Sequence, residues 1–287
     1  MIYLLLSIAA STIILILFKL FERYRVNTLQ AIVVNYITAC SFGLISYNAP
    51  INVEDIVSSK WFFGAFALGF LFIAIFNVMA LTAQRNGLSV ASVAAKMSVI
   101  IPVIFGIYMY KESVGFQKVL GIILALVAVY LTSIKSKSSI NTSKGLLLPV
   151  ILFLGSGIID TSIKYLETTY VAQNGIPIFS ATIFCFAGII GIGILIKRLI
   201  VSPIKLEFKN LYGGVALGIV NYYSIYFLLK ALQYEGTESS TIFTVNNVAI
   251  VMLSTLIGLV LFRETIYAKN WIGIAIAVVS ITLVTLA

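Results

Sequence analysis

The chain contains no histidine, only two cysteines, five prolines and ten acidic residues among 287. Without imidazole there is no histidine general base, no Ser-His-Asp triad and no histidine metal site. No Gly-rich loop ending in Lys-Ser or Lys-Thr occurs either, so the chain carries no Walker-type ATP site. The acids are scattered rather than clustered, which leaves an enzyme without its usual carboxylate pairs. We therefore expect no enzymatic activity, no cofactor and no resident metal. Cys40 and Cys185 fall in different halves of the chain, inside apolar stretches, and read as small buried apolar groups rather than a disulfide.

Charge is scarce as well, at 10% of residues, whereas 61% are hydrophobic and the mean hydropathy is +1.09. Such a chain belongs in a bilayer. Apolar stretches near the length that crosses ~30 Å of hydrocarbon start around Ile2, Thr28, Trp61, Leu88, Val114, Gly145, Ile176, Leu211, Ser239 and Tyr267. These starts predict an all-α membrane protein of ten transmembrane helices. The first stretch has no basic residue ahead of it and no small-residue cleavage site before Lys19, so it is kept as a span rather than a removed signal peptide.

Basic residues distribute unevenly over that map. Thirteen, including Lys19, Arg23, Arg25, Arg85, Lys197 and Arg263, fall in odd-numbered loops, and only Lys60, Lys111 and Lys118 fall in even ones. By the positive-inside rule the odd loops are cytoplasmic and both termini lie outside. The net charge of +9 then needs anionic lipid and no nucleic acid to explain it.

The chain also repeats itself. Gly64, Gly69, Gln84 and Gly87 recur 149 residues later as Gly213, Gly218, Gln233 and Gly236, while Glu112 and Gly121 recur 152 later as Glu264 and Gly273. Lys19 and Glu22 have their echo in Lys164 and Glu167. Residues 1–134 thus form one five-helix copy and 145–287 another, joined by the polar linker 135–144. An odd number of helices per copy inverts the second relative to the first, and an inverted repeat is the mark of alternating-access transporters with a site between copies.

Polar groups inside hydrocarbon cost about 2.5 to 3.5 kcal/mol each and face a cavity or a partner. Lys96, about ten residues into the fourth span, is the strongest candidate; it suits a substrate anion or an ion pair with another intramembrane acid. Asn246 and Asn247 occupy the matching stretch of the second copy. Asp160 either pairs with Lys164 one turn on or serves as a cavity carboxylate, the candidate for proton coupling. Asn35, Asn77, Asn221, Tyr222 and Tyr226 complete the candidate substrate site, with interhelical hydrogen bonding as their alternative role. Tyr222 and Tyr226 share a face by their spacing, and Pro102 is placed to kink the fourth span just beyond Lys96.

Ten spans in two copies, each with a Glu-x8-Gly step (Glu112 to Gly121, Glu264 to Gly273), resemble the EamA-like family of the drug/metabolite transporter superfamily. That resemblance implies a basket of helices around a central cavity, Lys96 and Asn246 facing it, and Glu112 and Glu264 as structural residues at helix junctions. The expected function is secondary transport of a small polar or anionic metabolite, an amino acid, sugar or related solute, across the cell (inner) membrane. Its expected partners are that solute, the lipid bilayer and a coupling proton, and the chain works as a monomer or homodimer. A non-transporting membrane receptor or regulatory protein is the alternative.

Overall fold

A computed structural model describes residues 2–47, 50–110, 115–133, 142–171, 175–201, 207–232 and 239–286. Among the described residues the secondary structure is helical throughout, in α1 (Ile2–Arg23), α2 (Thr28–Ile45), α3 (Val53–Ser58), α4 (Phe62–Asn86), α5 (Leu88–Met97), α6 (Ile100–Tyr110), α7 (Phe116–Ser133), α8 (Thr142–Tyr170), α9 (Ile176–Val201), α10 (Phe208–Leu232), α11 (Ser239–Phe262) and α12 (Ala268–Thr285). Eight spans among them are long and apolar enough to cross a membrane. The protein is therefore an all-α, multi-pass membrane protein, since in lipid a helix satisfies its own backbone hydrogen bonds. The apolar parts of α7 and α12 are shorter, Val119–Thr132 and Ala268–Leu283. Glu112, Gln233, Gly236 and most of the 135–144 linker lie outside the described residues; α8 begins inside the expected linker, at Thr142.

Two compact units divide the chain, and each draws segments from both sides of the linker. One comprises 21–77 and 159–222. Its centre is α2 against α9, brought close by glycines. A Cβ added at Gly43 would lie 3.0 Å from Ala181 Cβ, and one at Gly191 would lie 2.6 Å from Val33 Cγ2. Such backbone proximity is how lipid-embedded helices gain van der Waals contact when no hydrophobic drive exists between them. The first half of α4 joins α9 through Gly69, whose added Cβ would meet Phe186 Cβ at 2.6 Å, and the first half of α10 joins α2 through Gly218, 2.8 Å from Asn35 O. Gly64 lies against Leu166, and Gly213 against Phe21. Tyr36 fills the interior, fully buried, with its hydroxyl donating to Phe72 O at 2.9 Å and its ring packed on Phe76 and Phe184.

The other unit comprises 1–20, 78–158 and 223–287. Here α7 packs along α12: Asn270 Nδ2 donates to Leu131 O and Thr132 O, and Ser280 Oγ to Gly121 O at 2.7 Å. Val93 and Met97 of α5, Ile100 of α6, Phe153 of α8 and Val251 of α11 close the core around that pair. Gly157 lets α8 approach α6, since a Cβ there would stand 2.2 Å from Ile101 Cδ1.

The expected fourth span is not one helix. It breaks at Ser98 and Val99 into α5 and α6, and Pro102 explains the position. Its ring clashes with the carbonyl four residues back, that of Ser98, and it has no N–H to offer it. Ile101 N–H takes that carbonyl instead, at 2.9 Å, in a tighter turn. Missed from the sequence was α3, a short exposed helix capped by Asn52, whose side chain accepts from Glu54 N at 3.1 Å. Its legible signal was an Asn followed by two acids, which suit a helix N-terminus.

Candidate functional site

The break sets Lys96 in the last turn of α5, where the negative end of the helix dipole favours a cation. Lys96 is half-buried, in a helix whose neighbours Val93, Ala94 and Met97 are buried. In the same unit Asn246 of α11 is 2% exposed and Asn247 8%. Ser7 Oγ lies 3.2 Å from Asn246 Oδ1 and 3.0 Å from Ser224 O, so its one proton is shared between two acceptors and joins α1, α10 and α11. Ser7 was missed from the sequence, because a serine in an apolar run carries no local signal of a partner 239 residues away.

In the unit of α2 and α9, Asn221 Nδ2 donates to Asn35 Oδ1 at 3.2 Å. Asn35 is wholly buried, and its own Nδ2 has no hydrogen-bond partner among the described residues. A buried donor left unmade costs about 1 to 3 kcal/mol, so this amide is a candidate contact for a ligand acceptor. A further amide chain runs beside it: Asn210 Nδ2 donates to Gln30 Oε1 at 2.6 Å while Asn210 Oδ1 accepts from Asn27 N at 2.8 Å. Asn77 spends its donor on its own helix, Nδ2 to Ile73 O at 2.7 Å.

Tyr222 and Tyr226 have different partners despite their spacing. Tyr222 donates its hydroxyl to Ser46 Oγ at the end of α2 and packs its ring on Phe42. Tyr226 falls in the other unit, edge-on to Tyr223, with Lys230 Nζ 5.9 Å from its ring centroid. That face of Tyr226 is thus occupied by a cation–π contact. Asp160 and Lys164 are both exposed on α8. The cysteine reading needs correction: Cys40 is buried as expected, but Cys185 is exposed. Among the described residues no three His, Cys, Asp or Glu side chains gather as a metal site.

The repeated Gln, Gly and Glu residues assemble one further cluster, at the start of α5. Glu264 follows α11, where Arg263 takes a left-handed φ of 52° and Glu264 N–H reaches back to Gly258 O at 2.9 Å. Its carboxyl accepts from Leu88 N at 3.0 and 3.1 Å, capping the helix N-terminus. Lys19 Nζ stands nearby and donates to Gln84 O at 2.8 Å, while Gln84 Nε2 donates to Phe18 O. Burial pushes the Glu264 carboxyl above the ordinary glutamate value, against the opposing pull of the Leu88 N–H, the Lys19 ammonium and the Ser89 N–H. The folded state therefore takes up this proton before the unfolded chain does. Its stabilising contribution is full below the unfolded value and is lost as pH rises through the folded one. Thermal unfolding in detergent across a pH series should show Glu264→Gln losing that fall relative to wild type; an equal pH slope in both proteins would contradict it.

No family model matches the chain. It is 26% identical over 274 residues to an uncharacterized protein of Haemophilus influenzae, across 93% of this chain and 92% of that one. A protein solved by crystallography superposes on it with a TM-score of 0.58 at 15% sequence identity, over 99% of this chain and 97% of that one. The fold over essentially the full length is therefore one already seen in a solved structure.

Proposed function

We propose that this chain is a secondary transporter of a small polar or anionic metabolite, an EamA-like member of the drug/metabolite transporter superfamily built from two inverted five-helix repeats around a central cavity. One observation carries the reading. Gly64 of the first copy packs on Leu166 of the second, and its equivalent Gly213 packs on Phe21 of the first. Phe21 and Leu166 are themselves equivalent, displaced by the same 145 residues as Lys19 and Lys164. Exchanging the copies thus exchanges the contacts, which is what a two-fold axis between inverted repeats demands. Gly69 on α9 and Gly218 on α2 repeat the pattern.

The broken α5–α6 helix supports the same reading, since discontinuous helices near the midplane are where such transporters hold charged substrates. Lys96 neutralises a substrate carboxylate or phosphate, and Asn246 and Asn247 of the same unit orient it by hydrogen bonds. Asp160, an exposed carboxylate on a membrane helix, carries the coupling proton. The cell (inner) membrane is the proposed location.

The test is counterflow in proteoliposomes. Purified protein is screened against a metabolite library by thermal shift, and each hit is assayed for exchange of labelled solute. Exchange of at least one polar metabolite is expected, whereas ligand binding without exchange would identify a receptor instead. Asp160→Asn should keep counterflow and lose uptake driven by a pH gradient. Retention of gradient-driven uptake would remove Asp160 from proton coupling.

A further inference from the structure

Cys40 and Cys185 are 145 residues apart, the displacement that relates Lys19 to Lys164 and Glu22 to Glu167. They are the same position in the two copies. Across the α2–α9 contact Gly43 faces Ala181, Ile37 faces Gly188 and Val33 faces Gly191. Residue numbers fall along one helix as they rise along the other, so the helices run antiparallel. In that register Cys40 lies opposite Cys185, between the Gly43 and Gly188 contacts. The backbones are close there, as the 3.0 Å between an added Gly43 Cβ and Ala181 Cβ shows. Both thiols are free. A disulfide needs Cα atoms about 4.4 to 6.8 Å apart, a spacing that closely packed helices with small residues at the contact supply. Cys185 is exposed and Cys40 buried, both within apolar spans, so the sulfur met first by a reagent that enters the bilayer is that of Cys185.

We propose that Cys40 and Cys185 are a redox-active dithiol that closes to an intramolecular disulfide under hydrogen peroxide and ties α2 to α9. The Cys185 sulfur attacks one peroxide oxygen and breaks the O–O bond while its proton passes to the leaving hydroxide as water; the product is a sulfenic acid. The Cys40 sulfur then displaces the sulfenic hydroxyl, which leaves as a second water with the Cys40 proton. Two thiols and one peroxide become one disulfide and two waters. A reducing thiol reverses the bond by exchange. Nothing in this scheme depends on the protein being a transporter.

The experiment treats purified full-length protein with hydrogen peroxide, then measures intact mass and counts the thiols open to maleimide after denaturation. Wild type should lose two hydrogens and both maleimide adducts, remain monomeric on a non-reducing gel, and recover both adducts with dithiothreitol. A peptide map should join the Cys40 and Cys185 peptides. Cys40→Ser, Cys185→Ser and the smaller change Cys40→Ala should show no loss of two hydrogens. Persistence of both thiols in wild type would overturn the proposal. So would covalent dimers, or a gain of oxygen that dithiothreitol does not reverse.

Discussion

Replacing Gly87 by alanine is expected to destabilise the protein by about 2 to 4 kcal/mol, one of the largest losses any single methyl could cause here. Gly87 precedes α5 with φ 105° and ψ 163°, a backbone region open essentially to glycine, where another residue costs about 1 to 3 kcal/mol. Its missing side chain is also space already used. An added Cβ would stand 2.8 Å from Glu264 Oε2 and 3.0 Å from Glu264 Cδ. A carboxyl can swing away, but this one caps α5 through Leu88 N–H, and swinging leaves helix donors unpaired. Gly258 hems it in from α11, with an added Cβ 2.6 Å from the same oxygen. A denaturant titration in detergent should show Gly87→Ala unfolding early and Gly193→Ala, where an added Cβ meets nothing within 4 Å, unfolding with wild type or later. Equal midpoints for Gly87→Ala and wild type would remove the strained cap from the account.

Lys96→Ala should reduce counterflow of an anionic substrate at least tenfold, a loss of about 1.4 kcal/mol or more in binding, and cost the fold less than a broken buried ion pair would. The split is the informative part. An ammonium held in hydrocarbon costs about 2.5 to 3.5 kcal/mol on insertion scales, and its removal returns that cost against whatever contacts are lost. Removing one kept for a structural ion pair strands an acid and destabilises by about 3 to 5 kcal/mol. Lys96→Arg should restore part of the exchange, because the charge returns on a larger, planar head. Thermal unfolding beside counterflow for all three proteins decides it. A fall in stability with unchanged exchange would make Lys96 architecture.

Much of the architecture was legible because membrane helices are local objects. Their apolar runs predicted where α1, α2, α9 and α11 begin, and Pro102 marked where the fourth span is interrupted. The consequence of that proline was understated, as a kink rather than the break that ends α5 at Met97. Candidate polar residues were likewise found one by one, since any Asn or Lys stands out against Leu and Ile. Their partners were not. Tyr222 and Tyr226 share a helical face by spacing, yet one bonds Ser46 and the other lies beneath Lys230, because a long helix meets different neighbours along its length.

The repeated residues show the same division. Their recurrence singled out Gln84, Gly87 and Glu264 and matched Gly64 to Gly213 before any contact was visible. Sequence alone determined the class, the apolar runs and the list of groups that do not belong in hydrocarbon, since each follows from composition, run length and the need of every helix to satisfy its own backbone. Only the tertiary structure decided which groups meet: Ser7 with Asn246, Glu264 with Leu88, Asn221 with Asn35. Those meetings depend on how glycine-lined helix surfaces fit across more than a hundred residues of chain, and in lipid that fit rests on shape rather than on any hydrophobic pattern a single helix displays.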